Sequence, residues 1–106
     1  MALTRNFKHT VMRRAQRDAG YRKALFTEAV NAYLEGDIET GKTILRDLVN
    51  ATTGFKQLAI ELDKSSKSIH RMLAPRGNPS TENFFGILIA LQKSTQLKLR
   101  VTAKSN

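Results

Sequence analysis

The 106-residue chain contains only two prolines, Pro75 and Pro79, and both stand in one short stretch. Proline removes a backbone donor and breaks the i→i−4 ladder. A chain that confines it to one place can be helical throughout, with a single rigid corner. The apolar spacing agrees. Phe7, Val11 and Ala15 recur at four-residue steps between Lys8, Arg13, Arg14 and Arg17, which predicts a helix from Asn6 to about Arg17. A second helix is expected from about Asp18 to Leu34, with Tyr21, Leu25, Ala29, Ala32 and Tyr33 inward and Gly36 ending it in the left-handed conformation. Asp37 then caps a third, carrying Ile38, Ile44, Leu45, Leu48 and Val49. Short helices at about 55–62 and 66–73 follow. Ser80 caps a longer one with Phe84, Ile87, Leu88 and Leu91 on one stripe. The tail Leu97-Lys98-Leu99-Arg100-Val101-Thr102 alternates apolar and polar residues. That period predicts a β-strand over 97–102, which needs a partner from elsewhere. The expected fold class is all-α, five to six helices with a short C-terminal β-strand.

A chain of this length makes one domain, here residues 1–106: a helical extension over 1–35, a core over 37–93 and the strand at 97–102. It has no cysteine, which excludes disulfides, thiolate metal sites and a cysteine nucleophile. His9 and His70 are too far apart in sequence to suggest a metal cage, and no cofactor is expected. No carboxylate pair suggests acid–base catalysis, so the chain does not read as an enzyme. No apolar run approaches the roughly 18 residues of a membrane span. The basic opening is unlike a secretory signal, so a cytoplasmic location without membrane contact is expected. Eighteen Lys and Arg against nine Asp and Glu give a net charge of +9. An excess of that size on a small domain favours polyanionic partners.

Gly36-Asp37-Ile38-Glu39-Thr40-Gly41-Lys42-Thr43 matches the phosphate-loop pattern G-x-x-x-x-G-K-[ST]. That loop works between a buried parallel strand and a helix. Here the lead-in, Glu28 to Glu35, is helical in composition, and Asp37 and Glu39 would set negative charge against a phosphate. The expectation is therefore a helix end followed by a cap, with Lys42 on a solvated face and no nucleotide bound.

Residues 54–73 carry the more specific signal. Two short helices that cross closely require a small residue at the crossing, and Ala59 is that residue. Leu58 and Leu62 flank it, Ile69 returns from the second helix, and Met72 and Leu73 complete the buried side. Such a turn ordinarily has glycine four residues after the alanine, at positive φ. This chain has Asp63, a residue that tolerates the conformation at a strain of roughly 1 kcal/mol. Ser65 or Ser66 caps the second helix. Its outer face then offers Ser66, Lys67, His70 and Arg71, with Lys64 and Ser65 at the entry. In a helix-turn-helix this helix lies in the major groove of DNA with its N-terminal residues at the base edges. Lysine and arginine donate to guanine, serine bonds several bases, and a helix N-terminus favours phosphate. No acidic residue occurs between Lys64 and Ser80. In the corner that follows, Gly77 is expected to take positive φ, and Arg76 and Asn78 either touch the phosphate backbone or only shape the turn. Phe84 and Phe85 read as core or interface. Charge alone does not separate DNA from RNA, so a basic RNA-binding helical domain stands as the alternative.

The run from Gly54-Phe55 through Leu58-Ala59, Lys67-Ser68-Ile69, Arg71-Met72-Leu73, Pro75-x-Gly77-Asn78-Pro79 and Phe84-Phe85 to Leu91-Gln92 resembles the HigA-like antitoxins and regulators. Upstream, Leu3-Thr4-Arg5-x-Phe7-Lys8, Arg17-Asp18, Glu28-Ala29, Gly36-Asp37 and Leu45-Arg46-Asp47 resemble a branch of transcriptional regulators. The resemblance implies a lambda-repressor-like helix-turn-helix and a homodimer that binds double-stranded operator DNA as a repressor. It also implies an addiction-module antidote, which would neutralise a RelE-like toxin and repress its own operon.

Overall fold

The computed structural model describes residues 5–106, with side chains from His9 onward. The first four residues and the side chains of residues 5–8, among them Phe7 of the predicted stripe and the flanking Lys8, lie outside the described set. Six helices succeed one another: α1 Arg5–Arg17, α2 Ala19–Leu34, α3 Ile38–Ala51, α4 Phe55–Leu62, α5 Ser66–Met72 and α6 Thr81–Thr95. The chain is all-helical over the described residues.

Local chemistry explains where the helices start. The Asp18 carboxylate accepts the Tyr21 N–H at 3.1 Å, and Asp37 accepts Thr40 at 3.2 Å. Ser65 accepts Ser68 at 3.0 Å, and Ser80 accepts Asn83 at 3.1 Å. Each such cap satisfies an orphan donor and contributes about 1 kcal/mol. Three helices end on a left-handed residue with paired back-bonds. After α2 it is Gly36 (φ +87°), after α4 Asp63 (φ +53°) and after α6 Gln96 (φ +58°). At Asp63 the two bonds run from its own N–H to Ile60 and from the Lys64 N–H to Ala59, at 3.2 and 2.9 Å. This pattern satisfies the carbonyls that the last turn would leave unpaired.

α2 and α3 pack side by side, α1 lies across both, and α4 joins α5 and α6. Phe26, Leu45, Leu48, Val49, Leu58, Ile69, Leu73, Ile87 and Leu91 are fully buried in one cluster. Each side chain of this size contributes about 1.5–3 kcal/mol by leaving water. α2 and α3 approach closely because Gly41 has no side chain: a Cβ there would meet the Tyr33 ring at 2.5 Å. Tyr33 in turn packs on Phe84, with ring centroids 4.6 Å apart.

Three expectations need correction. First, no β-strand forms among the described residues, and 97–102 has no regular structure. No other described segment pairs with it as a strand. Gln92 supplies acceptors instead, its carbonyl to the Leu97 N–H at 3.1 Å and its side-chain oxygen to the Leu99 N–H at 2.8 Å. Leu97 and Leu99 lie half-buried on the core, whereas Val101 is 87% exposed. Second, Lys42 is buried and does not lie on a solvated face. It falls within the apolar stripe of α3, and its Nζ donates to the carbonyls of Pro75, at 3.5 Å, and Gly77. Third, Gly77 is not among the glycines with positive φ. It is required by space: a Cβ there would lie 1.9 Å from the Arg71 carbonyl oxygen.

Candidate nucleic-acid interface

α4 and α5 are joined by Asp63, Lys64 and Ser65, and the left-handed Asp63 reverses the chain. Ala59 is 4% exposed at the junction, with Leu58, Ile69 and Leu73 fully buried around it. Leu62 and Met72 are half-buried. The inward side of the pair is thus apolar, as the spacing of these residues requires.

The outward side is basic. Lys64, Ser65, Lys67, His70, Arg71 and Arg76 are exposed, and Ser66 is half-buried. Lys67, His70 and Arg71 stand at i, i+3 and i+4 and share one face of α5. None of Lys64, Lys67, Arg71 and Arg76 is paired with a carboxylate among the described residues, where Arg14–Asp18 at 3.8 Å is an ion pair far from this surface in sequence. Unpaired cations keep their full charge for an incoming polyanion. Ser65 is the cap: its oxygen accepts the Ser68 N–H, and its own proton remains free to donate.

The structure adds partners that the sequence did not suggest. The His70 ring stacks on Phe55 at 3.8 Å, with 15° between the planes, so one face of an exposed imidazole is braced by a buried aromatic. Fifteen residues separate the two, and no local periodicity links them. At the other end of α5, Arg46 of α3 donates through Nη1 to the Leu73 carbonyl and through Nη2 to Thr43 Oγ1 at 3.3 Å. Lys42, one turn earlier, holds the corner. A signal for Lys42 existed: it sits between Ile38 and Leu45, on the apolar stripe of its helix. Near these cations the Tyr33 hydroxyl is buried without a hydrogen-bond partner among the described residues. Burial pushes its pKa up to about 12, and the Arg46 charge offsets part of that rise.

A second surface is apolar. α2, α6 and the tail enclose a groove of about 610 Å³ lined by Phe26, Val30, Leu34, Phe85, Ile89 and Val101 among others. Leu34 is 71% exposed, Phe85 54% and Ile89 51%. Among the described residues no cluster of His, Asp and Glu is arranged to hold a metal, and no helix is long and apolar enough to cross a membrane.

Comparison with protein families, with curated proteins and with solved structures finds no match to this chain.

Proposed function

We propose that this chain is a sequence-specific DNA-binding transcriptional regulator, in which α4 and α5 form a helix-turn-helix and α5 enters the major groove. One observation carries the reading: the division of α5 into a buried side, Ile69 and Leu73, and an exposed side, Lys67, His70 and Arg71, with no carboxylate paired to it among the described residues. Support comes from the charge of the whole exposed stretch, since no acidic residue occurs between Lys64 and Ser80 to offset Lys64, Lys67, Arg71 and Arg76. In this reading Lys67 and Arg71 donate to base edges or phosphates. Ser65 and Ser66 reach the first bases, and Lys64 and Arg76 neutralise flanking phosphates. His70 is presented edge-on by the stack with Phe55. Asp63 supplies the turn that glycine ordinarily makes.

The reading includes a homodimer, because a single helix-turn-helix covers few base pairs and specific binding uses half-sites about one helical turn, roughly 34 Å, apart. The groove between α6 and the tail is the surface for the second copy. Exposed Phe85, Ile89 and Val101 would be covered there, and the backbone groups of 97–102 that Gln92 does not bond would find a partner in the symmetry mate. A repressor of this kind works in the cytoplasm, where its operator is.

The test uses the duplex that the parent chain selects from a randomised DNA library. Lys67→Ala and Arg71→Ala should each weaken binding by about 1–3 kcal/mol and relax sequence preference. A folded double variant with parental affinity would refute the assignment of this face. Equal competition by an RNA helix would refute the choice of DNA over RNA.

A further inference from the structure

We propose that Lys42 and Arg46 of α3 are positioning residues: by holding the carbonyls that follow the last turn of α5, they fix the orientation in which α5 is presented. The DNA-binding consequence rests on the function proposed above; the orientation itself does not.

α5 has only seven residues, spans about 10 Å, and packs chiefly on α4. Its buried seat is Ile69 together with the capping Leu73. Met72 packs on the core beside them and His70 stacks on Phe55, but apolar and ring contacts of this kind are less directional than hydrogen bonds and leave the tilt of a short helix less sharply determined. Directional bonds come from α3. Arg46 donates to the Leu73 carbonyl, and its fork is locked by Thr43 Oγ1, whose own proton goes to the Glu39 carbonyl at 3.0 Å. Lys42 donates to the carbonyls of Pro75 and Gly77. Both cations lie at the negative end of the α5 dipole. The corner is pressed onto the helix end so tightly that only glycine fits at 77.

Lys42 is 6% exposed. Burying an ammonium group is costly unless it is hydrogen-bonded, and an apolar side chain of the same length would fill the space more cheaply. What the lysine supplies is direction. A tilt of roughly 10° over the length of α5 would move one end by about 2 Å, beyond the reach of a hydrogen bond made at 2.7–3.2 Å. The lysine of the phosphate-loop pattern is therefore engaged within the fold, and its contact holds the base-reading helix in place.

The experiment compares the full-length parent with Lys42→Met, Arg46→Met, the double variant and Arg46→Lys. The first readout, without DNA, is the set of backbone residual dipolar couplings. In the methionine variants the α5 couplings should depart from the parental orientation while those of α2, α3 and α6 keep it. The second is affinity for the duplex selected by the parent. It should fall about tenfold, the loss expected when a base contact is misplaced, with the slope against salt unchanged because no phosphate contact is removed. Lys64→Ala, at a residue assigned to a flanking phosphate, should lower that slope. Arg46→Lys, which can still donate to Leu73, should recover most of the affinity. Parental couplings in the double variant would overturn the proposal, as would a reduced salt slope, which would mean direct phosphate contact. If the double variant fails to fold, Lys42→Met alone carries both readouts. A parent that selects no duplex would overturn the DNA reading, and the couplings would still decide the clamp.

Discussion

Replacing Asp63 with glycine should be neutral or stabilise the fold by up to about 0.5 kcal/mol, and replacing it with valine should cost considerably more than that. Asp63 sits at φ +53° and ψ +48°, where an L-residue pays roughly 1–2 kcal/mol and aspartate pays the lower figure. Glycine relieves that strain but is freer in the unfolded chain, which returns about 0.5–1 kcal/mol. The Asp63 side chain is exposed and makes no hydrogen bond or ion pair among the described residues, so little else is lost. Valine is a severe misfit here because its branched Cβ crowds the backbone at positive φ. It should destabilise by about 1–2 kcal/mol. At about 4–8 °C per kcal/mol for a domain near this size, glycine should leave the melting temperature unchanged or raise it by at most about 2–4 °C. Valine should lower it by roughly 5–15 °C on the same scale. The assay is thermal and urea unfolding followed by circular dichroism, with an unchanged urea slope showing that only stability moved. A destabilised glycine variant, or a valine variant that melts with the parent, would refute the left-handed turn between α4 and α5.

Two further outcomes are expected. Tyr33→Phe should be neutral or stabilising by up to about 1 kcal/mol at pH 7, because it removes a buried hydroxyl that has no partner; a larger loss in urea unfolding would mean that the hydroxyl is bonded. Burial raises the folded-state pKa of Tyr33 from 10.0 to about 12. Its neutral form therefore stabilises the fold fully below pH 10, and that contribution is lost as pH rises toward 12. The parent should accordingly lose stability more steeply than Tyr33→Phe over that window, and identical pH profiles would count against the burial of this phenol. Ile89→Asp combined with Val101→Asp changes two exposed residues, 51% and 87% accessible. It should leave the melting temperature within a few degrees while converting a dimer to a monomer in sedimentation at micromolar concentration. A variant that stays dimeric would move the interface elsewhere, and a parent that is already monomeric would remove the dimer from the proposed function.

The sequence by itself determined the helices, since their signals act within a turn or two. Aspartate or serine at 18, 37, 65 and 80 accepts an N–H three residues on, and a stripe such as Ile87, Leu88 and Leu91 buries one face wherever the helix is placed. Ala59 and Asp63 marked the close crossing and its turn for the same reason, and the exposed cations of α5 followed from which residues had to face inward. The tertiary structure alone decided what those elements meet. Lys42 looked like a solvated lysine until α3 was laid beside residues 75–77, more than thirty positions away in sequence. His70 looked like a free side chain until Phe55 arrived beneath it. The alternation of 97–102 is a property of the segment, whereas a strand is a property of two. With no second strand among the described residues, the tail takes its acceptors from Gln92. Periodicity fixes which side of an element is apolar; only packing determines which distant backbone groups its polar atoms must satisfy.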